Sequence, residues 1–161
     1  MLLLAGCGSA QSTRTVTETA RAPVSVRPPS KAQFVAHVDL ICKRAGRAID
    51  PLSKILDQTQ GASSPAAWRA SASAVLRAQA ITAASVAQVR AVPEAAEDRA
   101  VIAKWLAAFD SEAVLLGPVA SAFQSRDNGA LNVAEQNLSQ VEALARGLAQ
   151  GYGFKVCGQA G

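Results

Sequence analysis

Apolar residues recur at intervals of three and four along four successive segments of this chain, and short runs of turn-forming residues separate the segments. This spacing places the apolar side chains on one face of an α-helix, whereas a half-buried strand would alternate them. The chain has 161 residues, 50% hydrophobic but only 4% aromatic, so its helices should pack closely through small side chains. We therefore predict an all-α fold, an antiparallel four-helix bundle with kinked helices.

The first two predicted helices begin at clear start signals. Ser30 with Gln33 forms a capping box, and Ser64 precedes a proline at the first helical position. Helix 1 should kink or restart at Pro51, and helix 2 should run to about Val92. The predicted inward residues of these two helices are Phe34, Val38, Ile41, Ala45, Ile49, Leu52, Leu56, Trp68, Ala72, Val75, Leu76, Ala83, Val86 and Val89.

The last two predicted helices flank a turn at Asp127-Asn128-Gly129. Gly117-Pro118 should bend or split helix 3, and Gly151 should end helix 4 before a short extended tail, 152–156. The predicted inward residues are Val101, Trp105, Phe109, Leu116, Val119, Phe123, Leu131, Ala134, Leu138, Val141, Ala145 and Leu148.

The extreme N-terminus carries a candidate lipid attachment site. Leu4-Ala5-Gly6-Cys7 follows a leucine run and resembles the bacterial lipobox, whose cysteine takes a diacylglyceryl group before cleavage. Residues 1–6 are then a signal-peptide remnant, because they are shorter than a complete secretory signal. On this interpretation either the start codon lies further upstream or the segment has been trimmed, and an upstream reading frame with a basic, Leu-rich extension would distinguish the two. The alternative is a buried or disulfide-bonded Cys7 at a loose terminus.

A Thr/Pro-rich segment, residues 7–30, is predicted to be a disordered tether between the lipidated cysteine and a helical domain spanning residues 31–161. Most of the net charge of +4 lies between Gly8 and Lys31. The tether is therefore suited to anionic lipid headgroups or another envelope polyanion, although the same charges would also keep a linker solvated. A domain without a bulk basic charge and with few aromatic residues argues against nucleic-acid binding.

The two remaining cysteines are Cys42, on helix 1, and Cys157, in the C-terminal tail. If Cys7 directs export, these thiols meet an oxidising compartment in which disulfides persist. We predict a Cys42–Cys157 disulfide that staples the tail across helix 1. Two separate buried thiols are the alternative.

The layout as a whole resembles the small helical lipoproteins of actinobacteria. The resemblance rests on the lipobox, the tether, the Phe34-to-Cys42 spacing and the closing Tyr152-Gly153-Phe154-Lys155-Val156-Cys157-Gly158. These proteins are mostly uncharacterised, so the resemblance implies architecture and a location, lipid-anchored on the outer face of the bacterial cytoplasmic membrane. It implies no activity.

The chain offers little catalytic chemistry. His37 is the single histidine, and Asp39, two residues on, would point to another side of a helix. No P-loop, dinucleotide, haem-attachment or zinc-protease motif occurs, and we predict no catalytic residue, metal or cofactor.

We therefore predict a non-enzymatic envelope protein that presents a helical bundle to a protein or envelope polymer. The alternative is a small-molecule carrier or sensor with an apolar cavity near Trp68, Trp105 and Phe109. An interhelical cavity of roughly 300 Å³ or more favours the carrier, and a solid core with an exposed apolar patch favours the partner-binding surface.

Overall fold

A computed structural model describes residues 29–159 of the chain. The predicted signal-peptide remnant, Cys7 and the predicted tether up to residue 28 lie outside the described residues. The described part is all-helical and contains no strand, which confirms the predicted fold class. Its elements are α1 (Lys31–Thr59), α2 (Pro65–Arg90), a 3₁₀ turn (Ala96–Asp98), α3 (Arg99–Ser125) and α4 (Asn128–Tyr152). Within the bundle α2 packs against α1 and α3, and α3 packs against α4.

The predicted helix starts are confirmed at α1 and α2. Ser30 and Gln33 form the reciprocal capping box, and the Ser64 hydroxyl accepts a hydrogen bond from the Ala67 amide. The predicted turn at 127–129 is wrong, because α4 already begins at Asn128. The Asp127 carboxylate accepts from the Ala130 amide and caps this helix. The chain reverses one residue earlier, at Arg126, which has left-handed backbone angles (φ 57°).

Two predicted helix ends shift by one or two residues. α2 ends at Arg90 rather than Val92, and α4 continues through Gly151 to Tyr152. Gly153 then supplies the left-handed conformation (φ 109°) that closes α4, a conformation that glycine adopts without steric cost. The tail that follows consists of turns rather than the expected extended segment.

Two clusters of buried side chains form the core, one toward each end of the bundle. The first cluster comprises Phe34, Val38, Ile41, Val89, Val92, Ile102, Trp105, Ala149, Tyr152 and Phe154. The second comprises Val75, Val119, Ala120 and Ala134, with Leu56, Leu116, Phe123, Leu131 and Leu138 packed against it. We call them the tail cluster and the cavity cluster.

The inward stripe predicted for α1 is confirmed: all seven of its residues are buried or half-buried. Three other predictions are wrong. Leu76 is 43% exposed, Val101 is 44% exposed, and Ala83 is exposed. Ile102 is buried in place of Val101. Alanine on several faces leaves the rotation of α2 and α3 ambiguous in the sequence, so a shift of one residue is sufficient to exchange these neighbours.

One described helical stretch, Ala96–Ser125, is long and apolar enough to cross a membrane by length and composition, with a mean hydropathy of 1.3. The observation is weak evidence for a membrane helix, because the core helix of a bundle passes the same test. α3 packs against both α2 and α4.

Candidate ligand-binding cavity

A cavity of about 550 Å³ opens at the end of the bundle where α1 meets α2 and α3 meets α4. Its apolar lining comes from all four helices and coincides largely with the cavity cluster. The apolar side chains that line it are Leu56, Trp68, Val75, Leu116, Val119, Phe123, Leu131 and Leu138. The turn 60–63 between α1 and α2 also lines it, and Gly61 has a positive φ of 73° in this turn. The second core cluster therefore surrounds a space instead of filling it.

Two aromatic rings form one wall of the cavity. Trp68 on α2 and Phe123 on α3 lie with their ring centroids 5.7 Å apart and their planes inclined at 60°. Both side chains are half-buried and line the cavity. Such a pair offers a large, rigid apolar surface to a ligand.

A pair of hydroxyl groups supplies a polar site within the apolar lining. Thr59 Oγ1 on α1 lies 2.7 Å from Ser71 Oγ on α2, and both residues line the cavity. Thr59 Oγ1 also lies 2.8 Å from the Ile55 carbonyl oxygen, one turn earlier in α1. Ser71 is buried, as are Thr82 and Ser85 on the same helix. The sequence analysis missed this pair, because neither residue stands out among many serines and threonines.

Charged groups at the cavity are all acidic. The exposed residues Asp57 on α1 and Glu135 on α4 line it, together with the neutral Gln60, Ser63 and Asn128. No lysine, arginine or histidine is among the described residues that line this cavity. The polar part of the lining is consequently rich in hydrogen-bond acceptors.

The structure does not bring together the three aromatic residues proposed for ligand binding. Trp68 lines the cavity, whereas Trp105 and Phe109 belong to the tail cluster. Trp105 stacks on Phe109 at 5.5 Å between centroids and contacts Phe154 at 4.6 Å. Phe123 lies beside Trp68, where the sequence analysis expected Trp105 and Phe109.

The two predicted cysteines do come together at the tail cluster. The sulfur atoms of Cys42 and Cys157 lie within bonding distance, and their Cα atoms are 5.4 Å apart across 115 residues of sequence. The tail residue Phe154 is buried against Phe34 and Tyr152, with ring centroids 6.1 Å and 5.0 Å away. The tail therefore covers this end of the bundle.

Asp39 holds the same tail by a contact that the sequence analysis missed. Its carboxylate accepts hydrogen bonds from three successive backbone amides, those of Lys155 (2.9 Å), Val156 (2.8 Å) and Cys157 (3.3 Å). A concave run of backbone N–H groups is a natural binding site for an anion. The structure thus assigns Asp39 to the tail rather than to His37, which is exposed.

Tyr152 connects the tail cluster to two charged groups. Its hydroxyl donates a 2.7 Å hydrogen bond to Asp98 Oδ2, and Lys31 Nζ lies 4.2 Å from the centre of its ring. Burial, and then the hydrogen bond to Asp98, raise the pKa of Tyr152 above its usual value. These contacts hold the start of α1 and the end of α4 at one end of the bundle.

A half-buried carboxylate between the helices was also missed. Burial, with a further contribution from Glu142, raises the pKa of Glu112 on α3 to about 7, and Arg146 on α4 partly offsets the rise. Burial likewise raises the pKa of Glu142, again opposed by Arg146. Residues 29–159 contain no group of three His, Cys, Asp or Glu side chains arranged to hold a metal ion.

Comparison of the chain with protein-family models, with curated proteins and with solved structures finds no significant match. The candidate function therefore depends on the site itself.

Proposed function

We propose that the helical bundle binds an apolar small molecule in the cavity and acts as a carrier or sensor. The observation that carries the proposal is the cavity volume of about 550 Å³, which exceeds the roughly 300 Å³ at which small-molecule sites begin. An apolar lining with a few polar groups is typical of such sites. The sequence prediction placed partner binding first and the carrier second, and we propose the carrier first because of this cavity.

A cavity-filling variant tests this proposal. We expect Nile red, a neutral apolar dye, to bind the purified domain at one saturable site, measured by the fluorescence of the dye. Leu138→Trp places a larger side chain in the lining and should abolish this binding, whereas Leu144→Trp makes the same change on the same helix at a residue that is 56% exposed. Equal dye binding by both variants, with native circular dichroism, would contradict the proposal.

A second candidate function is the presentation of the bundle to an envelope protein or polymer. Its support is the exposure of apolar side chains on α3 and α4, where Val114 is 67% and Val133 is 60% exposed. Val133 lies in a shallow groove with Pro118, Ala122 and Ala130. Val133→Asp should then reduce capture of a partner from solubilised envelope without changing dye binding in the cavity. Unchanged capture would count against this candidate.

We also propose that the chain is exported and lipid-anchored through Cys7 on the outer face of the bacterial cytoplasmic membrane, like the small helical lipoproteins of actinobacteria that it resembles. The support is Leu4-Ala5-Gly6-Cys7 and the basic, Thr/Pro-rich segment that follows. Intact-mass measurement of the membrane fraction tests it, with Cys7→Ser as the control. A wild-type mass without added lipid would refute the anchor.

Finer features of the bundle belong to the same proposal. Neighbouring helices are proposed to run antiparallel, which is supported by their short connections. Pro51 and Pro118 lie inside α1 and α3, and neither proline splits its helix. We propose that both helices bend there, since a proline removes one backbone hydrogen bond and crowds the preceding turn. The bundle is proposed to bind its ligand without transforming it and without a metal or cofactor.

A further inference from the structure

We propose that the cavity selects ligands whose polar end is a cationic hydrogen-bond donor, which makes an apolar amine in its ammonium form the preferred class. This inference rests on the proposed function. It follows from three features of the lining: the acceptor lone pairs of the Thr59–Ser71 hydroxyl pair, the negative charge of the ionisable residues, and the aromatic wall.

The hydroxyl pair leaves a hydrogen-bond acceptor available to a ligand. Thr59 Oγ1 lies 2.8 Å from the Ile55 carbonyl oxygen, and either hydroxyl can donate across the 2.7 Å contact between Thr59 Oγ1 and Ser71 Oγ. Each hydroxyl oxygen has two lone pairs, and the contact uses one of the four. A ligand that donates a hydrogen bond can therefore bind the pair whichever hydroxyl is the donor.

The charged groups act in the same direction. Asp57 and Glu135 approach the cavity from α1 and α4, and no basic side chain lines it. The nearest basic residues along the sequence, Lys54, Arg69 and Arg126, are exposed and do not belong to the lining. An ammonium group at the mouth would be attracted by both carboxylates, whereas a carboxylate or phosphate would be repelled.

The aromatic wall adds a further attraction for a cation. An indole ring binds a cation over its face more strongly than the other aromatic side chains do. Trp68 lines the same cavity as Asp57 and Glu135. Gln60 and Asn128 do not oppose this preference, because a primary amide offers an acceptor as readily as a donor.

A competition experiment with three probes that share one alkyl chain tests the selectivity. Octylammonium, octanol and octanoate are each used to displace Nile red from the wild-type domain at pH 7. We expect octylammonium to displace the dye at a concentration about three- to tenfold below that of octanol, and octanoate to be the weakest, because exposed charge pairs contribute modestly.

Charge variants then identify the groups responsible. In the double variant Asp57→Asn with Glu135→Gln, the preference for octylammonium over octanol should fall to nearly unity. The control double variant Asp50→Asn with Glu97→Gln changes the net charge equally at exposed residues outside the lining, and it should keep the preference.

Each other outcome has a definite meaning. If octanol or octanoate displaces the dye as well as octylammonium does, or if the Asp57/Glu135 variant keeps the preference, the amine selectivity is wrong and the binding function survives. If none of the three probes and no dye binds, the proposed function fails together with the inference.

Discussion

Asp39 shows how much a single side chain contributes to the position of the C-terminal tail. Its carboxylate accepts three successive backbone amides, 155–157, that would otherwise lack partners at a half-buried site. Hydrogen bonds to a charged acceptor each stabilise a fold by about 1.5–3 kcal/mol when buried, and less when partly exposed. We expect Asp39→Ala to lower the free energy of unfolding by about 1–3 kcal/mol, measured by urea denaturation.

A local measurement distinguishes this role from a general loss of stability. In Asp39→Ala the amides of 155–157 should exchange with deuterium faster than those of α2, and Asp50→Ala, at an exposed residue of α1, should change neither. Unchanged protection of the tail amides in the Asp39 variant would show that the disulfide alone positions the tail.

Glu112 makes the stability of the bundle depend on pH. Its pKa is about 7 in the folded protein and 4.5 in the unfolded chain, so the folded state binds more protons between these values. Stability should therefore fall as pH rises from about 4.5 to 7, and the loss should persist above pH 7.

The variant Glu112→Gln should reduce this dependence to the part that Glu142 contributes. We expect it to be more stable than the wild type at pH 8 by roughly 1–2 kcal/mol and similar to it at pH 4, because glutamine carries no charge to desolvate. Urea denaturation at both pH values measures the difference, with Asp50→Asn as an exposed control. A variant that is less stable at pH 8 would show that the Glu112 carboxylate is ionised and favourably paired.

At the scale of the elements, one side chain links α2 to α3 beside a proline. Gln79 Nε2 on α2 donates a 3.0 Å hydrogen bond to the Ala113 carbonyl, five residues before Pro118. We expect Gln79→Ala to cost about 1 kcal/mol in thermal or urea unfolding, the usual contribution of such a bond. Gln88→Ala is the matched change at an exposed residue of α2 and should be neutral within about 0.5 kcal/mol. Equal stability of the two variants would refute a role for this bond.

The existence and starts of the helices could be predicted from the sequence because their causes are local. Ser30 with Gln33, and Ser64 with its proline, cap their helices by contacts within three residues. The cysteine pair was also predictable, although not from local structure: few cysteines leave few pairings. The rotation of α2 and α3 was not, because alanine fits a buried face and an exposed face alike.

The candidate site could be predicted only in part, for a different reason. Trp68 was identified as a lining residue, yet Phe123 and the Thr59–Ser71 pair were not, since their proximity depends on how three helices pack. A cavity is the volume that packing leaves unfilled, and no residue type signals it in advance. Asp39 and Glu112 were missed likewise, because their partners lie in distant segments or on neighbouring helices.

At the scale of the whole molecule, the disulfide closes a loop between residues separated by 115 positions. The chain-entropy relation assigns such a loop about 4–5 kcal/mol of stability, subject to strain. We expect the double variant Cys42→Ser with Cys157→Ser to unfold at a urea concentration well below that of the oxidised wild type, with a loss of about 2–5 kcal/mol.

Reduction provides the internal control for this prediction. Dithiothreitol should lower the stability of the wild type to about that of the double variant and leave the variant itself unchanged. Quantification of thiols in the unreduced, denatured domain should find none at these two positions. Two free thiols, or equal stability with and without reductant, would refute the disulfide in solution.

The contacts of Tyr152 with Lys31 and Asp98 make the two ends of the domain different. The first turn of α1 and the C-terminal tail meet at one end, and the cavity opens at the other, beside the turn 60–63 and Asn128. A surface or fusion partner joined directly before Lys31 or directly after Gln159 would therefore be held at the end away from the cavity and leave the mouth unobstructed. Protein immobilised at either of these two points should retain its full ligand capacity.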